Sequence, residues 1–144
     1  MHIIQPSTQM KESPNENSAL ETECLFGEKI EIKDSYMEWV YCKSETDNYS
    51  GWIKKNTIGA LGNPTHRVIA NRSFIYERKD AKSNCLFYLP MGAKLVIKDI
   101  QATWAKVSLF TNYDHENGYI PSNHIIKLNH SVEDWVAIAE NLIN

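Results

Sequence analysis

The chain states one pattern twice, and that repetition limits the folds open to it. Residues 47–55 read DNYSGWIKK and residues 114–122 read DHENGYIPS. In each, a polar turn precedes a Gly, an aromatic residue and an Ile. Extending the alignment backwards gives an offset of 65 residues, which pairs Met10 with Ile75, Glu12 with Glu77, Ser18 with Ser83, Gly27 with Gly92, Asp34 with Asp99 and Trp39 with Trp104. Further on, the offset becomes 67 and pairs Gly51 with Gly118, Trp52 with Tyr119, Ile53 with Ile120 and Ile58 with Ile125. The second copy therefore holds two extra residues in the polar loop around TNYDHEN. A duplicated unit accepts an insertion at such a place, because a longer surface loop costs little closure entropy. Two small domains are expected.

Each copy reads as β structure. KIEI and KLVI alternate or run apolar, as half-buried strands do, and EWVYC and WAKVSLF follow after short polar stretches. GWI and GYI are short strands opened by Gly. Neither copy has a long 3.6-residue period. Short strands with polar turns in about 60 residues predict a small barrel or sandwich. Gly27 and Gly92 are expected in tight turns. Trp39 and Trp104 are expected in the cores, whereas Trp52 and Tyr119 are open to partial exposure. Residues 59–67, GALGNPTHR, have linker composition. The expected organisation is all-β: a first barrel over 1–60, a linker over 61–66 and a second barrel over 67–130. In 131–144, SVEDWVAIAENLIN, the apolar residues form a stripe at helical spacing. Ser131 suits an N-cap, and Glu133 and Asp134 fall in the first turn, so an amphipathic helix is expected there.

Composition excludes several function classes. A net charge of −3 and a pI near 5.9 provide no basic surface for nucleic acid. No stretch approaches the roughly 20 apolar residues of a membrane helix. The start, MHIIQPSTQMKESPNENS, lacks the basic and apolar segments of a secretory signal, so the cytoplasm is the expected compartment. Cys24, Cys42 and Cys85 are odd in number and widely spaced, which argues against a disulfide framework. They are read as apolar fillers of strands. There is no CxxC, and the five His are scattered. Asp114, His115 and Glu116 are adjacent in a loop, and adjacent residues rarely point at one centre. No metal and no cofactor are expected.

The recurring L-x-x-G-x-x-(apolar)-x-(apolar), then W-(apolar)-x-V, then G-W/Y-I resembles tandem bacterial SH3 domains. ETECLFGEKIEI, DNYSGWI and DWVAIAENLIN together resemble, more closely, the N-terminal half of NlpC/p60-type cell-wall cysteine peptidases. In one branch of that family, two SH3 domains precede a catalytic domain that cleaves the γ-D-glutamyl to diamino acid bond of peptidoglycan peptides. The family's Asp-Cys-Ser-Gly nucleophile motif has no match here. None of the three cysteines lies beside a His in sequence or at an expected helix N-terminus, where a thiolate forms near neutral pH. The resemblance thus implies a non-catalytic recognition and scaffolding part, with the last helix opening a catalytic domain that lies elsewhere. No turnover is expected of the chain by itself. The alternative is a stand-alone SH3 module that binds cell-wall peptide or a protein partner. A proline-rich partner held in an aromatic groove is disfavoured, since no acidic loop or aromatic cluster is legible.

The copies differ at two informative places. Glu21 faces Leu86 at the first offset, and Tyr49 faces Glu116 at the second. In the family, the first SH3 domain leans over the active-site cleft, where a Glu and a Tyr help to hold the free amino group of an N-terminal L-Ala. By motif these correspond to Glu21 and Tyr49, with Glu23 and Glu28 as neighbouring rivals. A fixed carboxylate suits an ammonium, and a phenolic oxygen is a further acceptor. The implied partners are a peptidoglycan-derived peptide with a free N-terminal L-Ala and a peptidase catalytic domain.

Overall fold

The computed structural model describes residues 1–129; the expected helix over 131–144 lies outside them. Two compact units divide the chain, Met1–Ala60 and Leu61–Asn144. In the first, β1 (His2–Ile3), β2 (Ser7–Lys11), β3 (Leu20–Leu25), β4 (Ile30–Tyr36), β5 (Trp39–Ser44), β6 (Ser50–Lys54) and β7 (Ile58–Gly59) follow in order. They form an antiparallel five-stranded sheet, β3-β2-β6-β5-β4, and a two-stranded β1-β7 pair. In the second, β8 (His66–Val68), β9 (Arg72–Tyr76), β10 (Cys85–Pro90), β11 (Lys94–Ile100), β12 (Trp104–Ser108), β13 (Asn117–Pro121) and β14 (Ile125–Lys127) form one antiparallel sheet, β10-β9-β13-β12-β11-β8-β14. Among the described residues no helix is long and apolar enough to cross a membrane.

The duplication extends to irregular backbone. A bulge between Ile32 and Asp34 recurs between Ile97 and Asp99. The 3-10 turn Lys55–Thr57 recurs as Ser122–His124. Gly27 and Gly92 both adopt left-handed φ, 84° and 94°, at the turns after β3 and β10. A side chain would strain that conformation, and each Gly N–H donates to the strand that opens its unit, at Ile3 O and Val68 O.

Core positions also pair. Met10, Cys24, Ile30, Val40, Cys42 and Ile53 are buried in the first unit. Their counterparts Ile75, Leu89, Leu95, Ala105, Val107 and Ile120 are fully buried in the second. Cys24 thus stands where Leu89 stands, and Cys42 where Val107 stands. Burial pushes the Cys24 thiol up to about 12 and the Cys42 thiol up to about 11, as for inert fillers. Cys85 departs from the expectation. It lies on edge strand β10 and is exposed, like its counterpart Leu20.

The tryptophans also depart from it. Trp39 and Trp104 are half-buried on the outer faces, and the buried residues are their neighbours Val40 and Ala105. Side chains alternate along a strand, so one position decides between core and surface. Trp39, Tyr41, Trp52 and Lys54 therefore share the outer face of β5 and β6.

The glycine of each GWI or GYI motif is fixed by crowding. A Cβ on Gly51 would lie 2.5 Å from Met10 Cγ and 2.7 Å from the Lys11 carbonyl oxygen. A Cβ on Gly118 would collide with Ile75 Cγ2, the matching partner. Backbone cannot yield as a long side chain can. Gly51→Ala and Gly118→Ala should each cost about 1–3 kcal/mol in chemical denaturation. Gly62→Ala, whose Cβ would come no nearer than 3.6 Å to Val96, should cost almost nothing.

Three histidines bear on pH dependence. His2 and His66 are buried and His124 is half-buried, and burial lowers the pKa of each below the ordinary 6.5. Ser73 Oγ lies 2.7 Å from His124 Nδ1 and Thr65 Oγ1 lies 2.7 Å from His66 Nδ1. The unfolded chain takes up these protons first, so their contribution is complete above the unfolded value of 6.5 and is lost as pH falls through the lower folded values. Calorimetry should show a lower melting midpoint at pH 5.5 than at pH 7.5; an unchanged midpoint contradicts this.

Candidate functional site

Strand pairing gives Glu21 a special position. Lys11 pairs with Leu20 and Met10 pairs with Thr22, so Glu21 is the extra residue of a bulge in edge strand β3. The second copy has the same bulge: Tyr76 pairs with Cys85 and Ile75 with Phe87, which leaves Leu86 over. A bulge re-aims its side chain out of the regular alternation. Both copies thus present a side chain by the same backbone device, and only the first presents a carboxylate.

Tyr49 sits just before β6, after Asn48, which is left-handed at φ 59°. Its carbonyl accepts from Ser44 N at 2.8 Å; the matching Glu116 carbonyl accepts from Leu109 N at 3.0 Å. The phenol itself is 46% exposed. Glu21 is exposed too, and neither side chain has a hydrogen bond or ion pair among the described residues. Lys11 pairs with Leu20 of β3 on one side and with Trp52 of β6 on the other. Strand β2 therefore lies between β3 and β6, which puts the candidates two strand spacings, about 10 Å, apart across the sheet, with Tyr49 displaced further by three residues back along the chain from Trp52. They do not touch. Of the rivals, Glu23 is exposed on β3, whereas Glu28 is buried and acts on the Cys24 thiol.

The outer face carries further chemistry that the sequence did not announce. Lys54 Nζ lies 5.8 Å from the Trp39 ring centroid and forms an ion pair with Glu16. The hydrogen bond and charge of Lys54 hold the Glu16 carboxyl below its ordinary value, and Glu16 raises Lys54 in return. Tyr41 and Trp52 stack tilted at 5.3 Å beside them. Met37, 76% exposed and left-handed at φ 51°, forms the tip between β4 and β5. In the second unit, Tyr76 meets Trp104 edge to face at 5.6 Å. Each unit thus carries an aromatic pair on its outer face whose members lie apart in sequence.

In the DHE run, His115 Nε2 lies 3.4 Å from Glu77 Oε1 and Glu116 lies near Lys98. Among the described residues no group of three His, Cys, Asp or Glu could hold a metal ion.

Residues 11–58 match the family model of the bacterial dipeptidyl-peptidase SH3 domain. The first unit is similar to that domain over this stretch. The second unit repeats its strand order, bulges and core, and is SH3-like in the same sense. Over 88% of its length the chain is similar to the crystal structure of an NlpC/P60 family protein from Bacillus cereus ATCC 10987, with a TM-score of 0.70 and 13% identity. It spans 55% of that protein. No curated protein gives a sequence match. The two findings bear out the resemblance to the SH3 domains of an NlpC/p60-type peptidase.

Removal of the carboxylate at the bulge should leave the SH3 fold intact, because Glu21 has no partner among the described residues. Glu21→Ala should change the denaturation free energy by less than about 0.5 kcal/mol, as exposed substitutions do. A loss comparable to that of Gly51→Ala would mark Glu21 as structural.

Proposed function

We propose that this chain is the non-catalytic recognition and scaffolding part of a cytoplasmic cysteine endopeptidase acting on γ-D-glutamyl-L-diamino acid peptides. Glu21 and Tyr49 of the first SH3 domain contribute to the site for the peptide's free N-terminal amine. The observation that carries this reading is the paired bulge. Both copies keep the backbone irregularity, and Glu21 appears where the second copy has Leu86. A solvated carboxylate without an internal partner is free to take an ammonium. From backbones on either side of β2, the long side chains of Glu21 and Tyr49 would approach one small ligand from two sides.

Selectivity follows from charge. A carboxylate–ammonium hydrogen bond contributes about 1.5–3 kcal/mol. A peptide still joined to glycan has an amide in place of the ammonium and leaves the carboxylate poorly paired. Free, trimmed peptides are therefore the preferred class. Cleavage itself belongs to a catalytic domain supplied in cis or in trans.

Calorimetric titration of the chain with L-Ala-γ-D-Glu-L-Lys tests the reading. Binding near about 1 mM is expected, since one ammonium contact offsets little of the association cost. N-acetylation of the peptide, or Glu21→Ala, should weaken it roughly tenfold; Tyr49→Phe should weaken it less. Equal affinity for free and acetylated peptide contradicts the amine site.

A further inference from the structure

The first SH3 domain has a groove on its outer face, about 490 Å³ in volume, lined by Lys11, Glu16, Trp39 and Lys54. It continues past Lys54 toward Glu38 and Lys55. The second unit has a groove of about 340 Å³ lined by Tyr76, Ala81, Thr103, Trp104, Pro121 and Ser122. These are the same positions in the repeat. Lys11 matches Tyr76, Glu16 matches Ala81, Glu38 matches Thr103 and Trp39 matches Trp104 at the first offset; Lys54 matches Pro121 and Lys55 matches Ser122 at the second. The groove and its tryptophan come with the fold. The five charged side chains, Lys11, Glu16, Glu38, Lys54 and Lys55, belong to the first copy alone.

Their arrangement selects a ligand class. Lys54 stands over the Trp39 ring and is paired with Glu16. Glu16 lies between β2 and β3, and its side chain is 68% exposed. Such an exposed pair exchanges one carboxylate for another at little net cost. Without Glu16, the charged residues that line the groove and its continuation are Lys11, Lys54, Lys55 and Glu38, a positive balance that attracts anions. Its aromatic floor and the amide side chains of Asn15 and Asn17 suit a short peptide rather than a bare ion.

We infer that Lys54, over Trp39, binds a carboxylate of a short acidic peptide, and that Glu16 occupies this place until the ligand displaces it. The identity of the peptide rests on the proposed function: its γ-linked D-Glu keeps a free α-carboxylate. The site is separate in chemistry from the amine site at Glu21 and Tyr49.

The test is calorimetric titration of the full chain with L-Ala-γ-D-Glu-L-Lys, its N-acetyl form and its carboxyl-amidated form. Lys54→Gln should weaken the free and N-acetyl peptides at least threefold, and amidation should cause the same loss without adding to it. Glu16→Gln should tighten binding about threefold by removing the internal competitor. Lys54→Arg should retain binding, which guards against a folding defect in Lys54→Gln. Unchanged affinity in Lys54→Gln, weaker binding in Glu16→Gln, or no binding of any peptide overturns the inference. If acetylation has no effect while the dependence on Lys54 persists, the amine site fails and this one stands. If acetylation weakens binding while Lys54 is indifferent, the reverse holds.

Discussion

The close approach of β2 to the first residues of β6, and of β9 to those of β13, is the constraint on which both barrels depend. At each crossing a buried apolar side chain, Met10 or Ile75, lies where a Cβ of the facing strand would stand, so Gly51 and Gly118 are required. Because that contact forms, the following aromatic, Trp52 or Tyr119, turns outward and the next residue, Ile53 or Ile120, turns into the core. The G-aromatic-I motif is therefore the sequence trace of a packing contact. The same contact sets the alternation that places Trp39 and Lys54 on one outer face.

Much of the architecture was legible because its causes are local. Gly27 and Gly92 mark left-handed turns, and the apolar alternation of KIEI and KLVI marks β4 and β11. The repeat then carried each reading from one copy to the other. Trp39 and Trp104 were misread because burial follows parity along a strand, and a large aromatic can cover an outer face as well as fill a core. Cys85 was misread because edge position depends on which strands pair, and no single segment states that. The aromatic contacts of Tyr76 with Trp104, and of Tyr113 with Phe87, join residues from separate strands and loops. Only the folded chain brings them together.

The candidate sites show the same division. Glu21 and Tyr49 could be named by difference between copies, but the bulge that turns Glu21 out of register needed the pairing of β2 with β3. The Lys54–Glu16–Trp39 group left no sequence signal, since its members come from β6, a loop and β5. Compared position by position, the two units share backbone and core while their surfaces differ in charge. A duplicated scaffold can diverge in this way, because outer-face positions are not constrained by packing and can change without cost to the fold. On the function proposed above, the second barrel keeps a structural role and recognition belongs to the first.

The most direct test follows backbone amide resonances of the whole chain during titration with L-Ala-γ-D-Glu-L-Lys. The account predicts shifts at Thr22, Trp39, Ser50 and Lys54, and none at their repeat partners Phe87, Trp104 and Asn117. Equal shifts in both units, or shifts confined to the second, would contradict a ligand site built into the first copy alone.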